Sequence, residues 1–404
     1  MRPAIRIQLS VMMFLQFFIW GTWFVTMGTY LFKIGFDGLE VGQAYSAIPI
    51  GAIISPFFIG MIADKYFPAE KVLAAMHLIG GTILYWVSTI VSPNYFFWVL
   101  LLYALCYMPT LALVNAICFN QMKDPGKQFP YVRVLGTLGW IIASGMISKL
   151  YLEDTSVPLK IAASVSVLMG LFSFSLPKTP PKSKGEKVTI ANILGLEALK
   201  LMKEKSFAIF VISSLLISIP LAFYYNFTNA FLNEAGMETA ALKMTLGQLS
   251  EVLFMFLMPV LFLRLGVKKM LLIGMIAWVV RYGLFAFGNN ESLVFMFYIG
   301  ILLHGICYDF FFVTGQIYVD KKAPKAIQAS AQGFITLVTY GVGMLIGSWV
   351  SGFVVEYYTY GESHAWRSIW YFPAIMALIV SLLFWVLFKE KDNQVSASQD
   401  NQPA

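Results

Sequence analysis

The sequence predicts an all-α membrane protein whose twelve transmembrane helices form two six-helix bundles, and three observations carry that prediction. The 404 residues are 59% hydrophobic and only 12% charged, with a mean hydropathy of +0.73, more apolar surface than one soluble core can bury. Long apolar runs recur at about 9–32, 41–63, 72–92, 95–119, 131–151, 159–176, 206–231, 244–264, 269–288, 292–319, 328–355 and 368–388. The cationic residues then sort by side. Arg2, Arg6, Lys65, Lys71, Lys123, Lys127, the lysines of 177–205, Arg264, Lys268, Lys269, Lys321, Lys322, Lys325, Lys389 and Lys391 fall at one set of ends. Lys33, Lys149, Lys160, Lys243 and Arg367 fall at the other. Because short cytoplasmic loops hold the excess of Lys and Arg, both termini are expected in the cytoplasm, with the chain multi-pass in a plasma membrane. The net charge of +7 is thereby explained by topology, and no nucleic-acid partner is expected.

In chain order, the run from Leu9 to Phe32 is long enough, at ~1.5 Å per residue, to cross a ~30 Å hydrocarbon layer. It exceeds the apolar core of a signal peptide, so it reads as an uncleaved first helix. The linker from Pro177 is polar and proline-rich and leads into an expected surface helix from Ile190 to Lys203. It divides the chain into an N-terminal bundle (1–176), a cytoplasmic linker (177–205), a C-terminal bundle (206–391) and a polar tail (392–404). The turn Ser92–Asn94 recurs at Asn289–Glu291 at nearly the interval that separates Lys71 from Lys269. Such a rhythm fits two parallel repeats, with a solute site between them near the midplane.

Cys106, Cys118 and Cys307 lie in or beside apolar runs without metal-ligand spacing, and the histidines are only His77, His304 and His364. No metal, no cofactor and no enzymatic chemistry is expected. The charges inside the runs are Arg133, Glu251, Arg281 and Asp309. A charge at the bilayer centre costs about 2.5 to 3.5 kcal/mol on insertion scales, so Asp309 is expected to face protein or water. Counted from the cytoplasmic ends, Glu251, Arg281 and Asp309 lie at comparable depth and could meet. Arg281 and Asp309 then form either a static ion pair or a tuned couple in which Asp309 exchanges a proton.

Arg133, Thr137 and Trp140 share one helix face at i, i+4 and i+7, offering a cation, a hydroxyl and an indole; otherwise Arg133 snorkels to the surface. Gln248 and Glu251 share another face and offer acceptors suited to sugar hydroxyls. Gln16, Trp20 and Trp23 lie on one face of the first helix. Tyr225 and Asn229, on the seventh run, are expected to line a cavity, whereas the stripe of Gly343, Gly347 and Ser351 serves helix packing.

Several stretches together resemble the nucleoside:proton symporter family of the major facilitator superfamily: Phe17 to Trp23, Tyr107 to Thr110, Phe129 to Trp140, Gln248 to Glu251, Tyr308 to Phe311 and Ala329 to Gly333. The turn from Gly60 to Lys71, with Asp64 and Lys65, is similar to the superfamily's signature between helices two and three. The resemblance implies a monomeric importer of nucleosides with protons, of major facilitator fold, in a bacterial inner membrane. It implies that Arg133, Thr137, Trp140, Gln248 and Glu251 line the nucleoside site, that His304 and Tyr308 add contacts, and that Asp309, with Glu251, couples to protons. The chain departs from the family pattern at Ala222 and Tyr225, which stand where a polar pair is usual, and at His304, which replaces a tyrosine. A proton symporter for another hydroxyl-rich solute, such as a sugar or nucleoside analogue, is the alternative.

Overall fold

The computed structural model describes residues 2–55, 66–181, 196–361 and 363–389. In the first half, α1 (Pro3–Trp23) and α2 (Met27–Lys33) fill the first expected run, interrupted where the Thr26 hydroxyl turns back to the Trp23 carbonyl at 3.3 Å. They are followed by α3 (Gly38–Ser55), α4 (Ala69–Val87), α5 (Pro93–Gln121), α6 (Pro125–Lys149) and α7 (Val157–Ser173). The second half holds α8 (Lys205–Glu234), α9 (Ala240–Phe287), α10 (Val294–Leu302), α11 (His304–Tyr308), α12 (Thr314–Lys322), α13 (Gln328–Thr336), α14 (Met344–Tyr357) and α15 (Trp366–Leu387). A π-turn over Asp309–Val313 joins α11 to α12, and another over Leu337–Gly343 joins α13 to α14. Strands Thr359–Tyr360 and Ser363–His364 pair in a small antiparallel hairpin before α15. Among the described residues, eight helical stretches are long and apolar enough to cross a membrane, Pro93–Gln121, Lys205–Glu234 and Trp366–Leu387 among them. Asp64 and Lys65, the 182–195 part of the linker and the tail beyond Lys389 lie outside the described residues. Of the expected surface helix, Leu196–Lys203 coils as a 3₁₀ segment.

Helix ends follow local chemistry more than apolar runs. α6 starts earlier than its apolar run because the Asp124 carboxylate accepts from the Lys127 N–H at 3.2 Å and Pro125 occupies the first turn. α9 unites two expected runs across Gly266, whose φ of 70° and ψ of 174° interrupt the helix in a region that side chains disfavour. The small-residue stripe packs as expected: a Cβ at Gly347 would stand 2.6 Å from the Ala222 Cβ on α8.

α1 packs on α6 and α4 on α7 in the first half, whereas α9 packs on α15 and α8 on α14 in the second. Contacts of α3 with α14, and of α6 with α9, join the halves. A buried polar network ties α1, α4, α5 and α7 together. Gln16 Nε2 donates to Thr110 Oγ1 (2.8 Å), and Gln16 Oε1 pairs with His77 Nε2 (2.9 Å). His77 Nδ1 meets Ser166 Oγ (3.0 Å), while the Tyr107 hydroxyl donates to the Gln16 carbonyl (2.6 Å).

Candidate functional site

The α6 face holds Arg133, Thr137 and Trp140, all partly buried, toward the second half. The Arg133 guanidinium lies 4.1 Å from the Phe17 ring centre, so α1 supports it by cation–π contact. Trp140 meets Trp20 edge-on at 5.7 Å and Phe24 at 6.3 Å. Of the α1 face expected to hold Gln16, Trp20 and Trp23, Trp20 backs Trp140, whereas Gln16 turns to Thr110 and Trp23 to Tyr103, both on α5.

From the second half, α8 brings Tyr225 against Phe24 (5.8 Å) and His304 (6.1 Å), so one ring touches both halves. α9 supplies Gln248 and, one turn on, Glu251, whose side chain is 26% exposed. His304 on α11 is 1% exposed, stacks on Tyr224 at 5.0 Å, and places Nε2 4.0 Å from Glu251 Oε2. The imidazole thus sits behind the carboxylate. Tyr308, one turn further, accepts a hydrogen bond from the Tyr340 hydroxyl at 2.5 Å. Arg133 is within electrostatic range of Glu251 and Tyr308. Among the described residues no ion pair closes that gap.

Arg281 and Asp309 are both fully buried, and the static pair, one of the two alternatives for them, does not form. Arg281 Nε donates to the Gly300 carbonyl (2.9 Å) and its guanidinium lies 3.6 Å from the Tyr224 ring centre, while Nη1 and Nη2 have no hydrogen-bond partner among the described residues. Neither carboxylate oxygen of Asp309 has a hydrogen-bond partner among the described residues. Gly274 lies against the Phe311 backbone and Phe285 against Gly300, which sets Arg281 level with His304 and Asp309 level with Ile276. About five residues, or roughly 7 Å of helix axis, separate the two charges. The common depth fails because the ends from which it was counted are not level: in the same register Lys269, at the start of the ninth run, lies opposite Gln316, inside the end of the tenth.

Asn229 does not line a cavity in this conformation. It is fully buried, accepts from the Thr29 hydroxyl (2.5 Å) and donates to the Glu153 carboxylate (2.8 Å). Sequence reasoning also missed Tyr340, Tyr224 and Phe17, the supports behind Tyr308, His304 and Arg133. Nothing in their spacing separates them from ordinary core aromatics.

Membrane-spanning helices that bring a cation, a carboxylate and aromatic rings from opposite halves onto common ground have the layout of a solute transporter. No cluster of three metal-ligating side chains occurs among the described residues. The family model for the nucleoside H+ symporter matches residues 3–393, and the chain belongs to that family. It is 43% identical to YegT of Escherichia coli (strain K12) over 405 residues, covering 96% of this chain and 95% of that protein. It is 33% identical to the nucleoside permease NupG of the same organism over 407 residues, covering 97% of each. A crystal structure of the nucleoside transporter NupG superposes with a TM-score of 0.89 at 33% identity, covering 96% of this chain and 100% of that one.

Proposed function

We propose that the protein imports nucleosides together with protons by alternating access of two six-helix halves, 1–176 and 206–391, tethered by the 177–205 linker. In this reading twelve spans cross a bacterial inner membrane, both termini are cytoplasmic and the transporter works as a monomer. The observation that carries it is Tyr225, which reaches Phe24 of one half and His304 of the other and so sits where a solute between the halves would lie. A flat base suits the rings of Trp140, Tyr225 and Tyr308. Ribose hydroxyls suit Gln248, Glu251, Thr137 and Arg133, which together donate and accept. His304 supports Glu251 from behind and leaves the direct contact to the carboxylate.

Asp309 is the proton carrier in this scheme, with Glu251 as the acid closer to solute. A carboxylate that is buried without partners is costly as an anion, and a proton removes that cost before the halves rock. Uptake of uridine and adenosine into proteoliposomes under an imposed proton gradient tests this directly. Asp309→Asn should abolish concentrative uptake while sparing solute exchange, and Glu251→Gln should weaken both. Uptake indifferent to the gradient in the unmodified protein, or unaltered by Asp309→Asn, ends the coupling proposal. A thermal-shift panel of nucleosides, bases and sugars separates a nucleoside site from one for another hydroxyl-rich solute.

A further inference from the structure

Among the described residues, every hydrogen bond between the two halves falls at the end away from the N-terminus. Those bonds are Thr29 to Asn229, Gly38 N–H to Glu356, and three made to Glu153. Glu153 lies in the turn between α6 and α7, only 6% exposed. Its Oε2 accepts from Asn229 Nδ2 (2.8 Å) and Asn233 Nδ2 (2.9 Å) on α8. Its Oε1 accepts from the Ala241 N–H (3.0 Å) in the first turn of α9 and from the Ser148 hydroxyl of its own half. Four donors, three of them across the gap, satisfy one buried carboxylate, and the α9 N-terminus adds a favourable dipole.

The backbone is bent to make this contact. Tyr151 (φ 54°) and Thr239 (φ 52°) are the non-glycine residues with positive φ among the described residues. They stand two residues before Glu153 and two before Ala241, one on each side of the junction. A β-branched or bulky residue there is strained and persists only where the surroundings enforce it. Just outside lies a cavity of about 770 Å³ whose lining includes Thr29, Lys33, Glu153, Asn233 and His364. Glu153 is therefore in the floor of an outer vestibule, and α8 carries both this junction and, one turn earlier than Asn229, the inter-half ring of Tyr225.

We propose that Glu153 is the latch that holds the halves closed on this side, and that movement of the Asn229 and Asn233 face of α8 releases it to open the vestibule onto the solute site. The latch rests on the two halves moving as the proposed function requires. The geometry also predicts what glutamine would do: an amide NH2 at the Oε1 position deprives the Ala241 N–H of its acceptor, and one at the Oε2 position opposes the Asn229 and Asn233 amides as they stand, so Glu153→Gln breaks the set as built.

Double electron–electron resonance tests this in the full chain, with Cys106, Cys118 and Cys307 replaced and spin labels at Leu150→Cys, an exposed position beside the lining residue Tyr151, and at Glu238→Cys, which lines the vestibule. A closed population should dominate the parent protein. Glu153→Gln and Glu153→Ala should raise the open-to-closed ratio about tenfold or more, the effect that one buried, charge-assisted hydrogen-bond set commands. Asn233→Ala, which removes one donor, should give a smaller shift. Asp154→Asn, on the exposed neighbour that pairs loosely with Lys33 at 3.9 Å, should give none. Each variant must elute as one species and melt cooperatively, and Asn233→Ala carries the test if the Glu153 variants do not. Distances unchanged in Glu153→Gln, or shifted equally by Asp154→Asn, overturn the latch. The measurement needs no solute, so the latch stands or falls on these distances even if nucleoside uptake fails.

Discussion

Two buried polar clusters, one in each half, differ in how their groups are satisfied. In the first half, both ring nitrogens of His77, both ends of the Gln16 amide and the Gln16 carbonyl all have partners. In the second half, His304 Nδ1, two nitrogens of Arg281 and both oxygens of Asp309 have no hydrogen-bond partner among the described residues, although all three residues are as deeply buried. A satisfied network fixes helices relative to one another, whereas an unsatisfied buried charge stores free energy that a proton, a ligand or a movement can release. The contrast assigns the Gln16–His77 cluster the part of a rigid wall and the Arg281–His304–Asp309 cluster the part that responds.

The largest break in that comparison should come from His77→Ala. It orphans Gln16 Oε1 and Ser166 Oγ and empties a ring site beside Tyr107, at a cost of about 3 kcal/mol. Thermal melting in detergent should fall by several degrees while the solute KM stays the same. A changed KM with unchanged melting would show that the network serves the site and not the wall.

Arg281→Met should act in the opposite sense. It exchanges a buried cation without a carboxylate partner for an apolar chain, which stabilises by about 1 to 2 kcal/mol even after losing the bond to Gly300. The transport rate should fall all the same, because Tyr224 loses the cation that backs its stack against His304. Lower melting would mean that the cation–π contact outweighs the burial of charge, and the supposed strain of the second half would disappear with it.

How much of this was legible beforehand follows from where each signal resides. The apolar runs locate the helices because spanning a bilayer demands length and hydrophobicity within one segment. The faces of Arg133, Thr137 and Trp140, and of Gln248 and Glu251, were likewise legible, being local helical periodicity. The separation of Arg281 from Asp309 was not, since it depends on how the ends of two consecutive helices line up, which residue spacing within each run does not carry. The part played by Asn229 was equally hidden: its partner Glu153 is 76 positions away, and only the closed junction shows that its amide is already engaged.

The finest test concerns Tyr340, whose hydroxyl donates to Tyr308 at 2.5 Å between the two π-turns. Tyr340→Phe keeps the ring contact with Phe312 at 5.7 Å and removes one neutral hydrogen bond, worth about 1 kcal/mol or roughly fivefold in affinity. If that bond aims Tyr308 at the solute, the KM for nucleoside uptake should rise by about this factor with kcat unchanged. An unaltered KM would mean that ring packing alone orients Tyr308. This part of the second half would then be as self-sufficient as the Gln16 network, and the responsive groups would narrow to Arg281, His304 and Asp309.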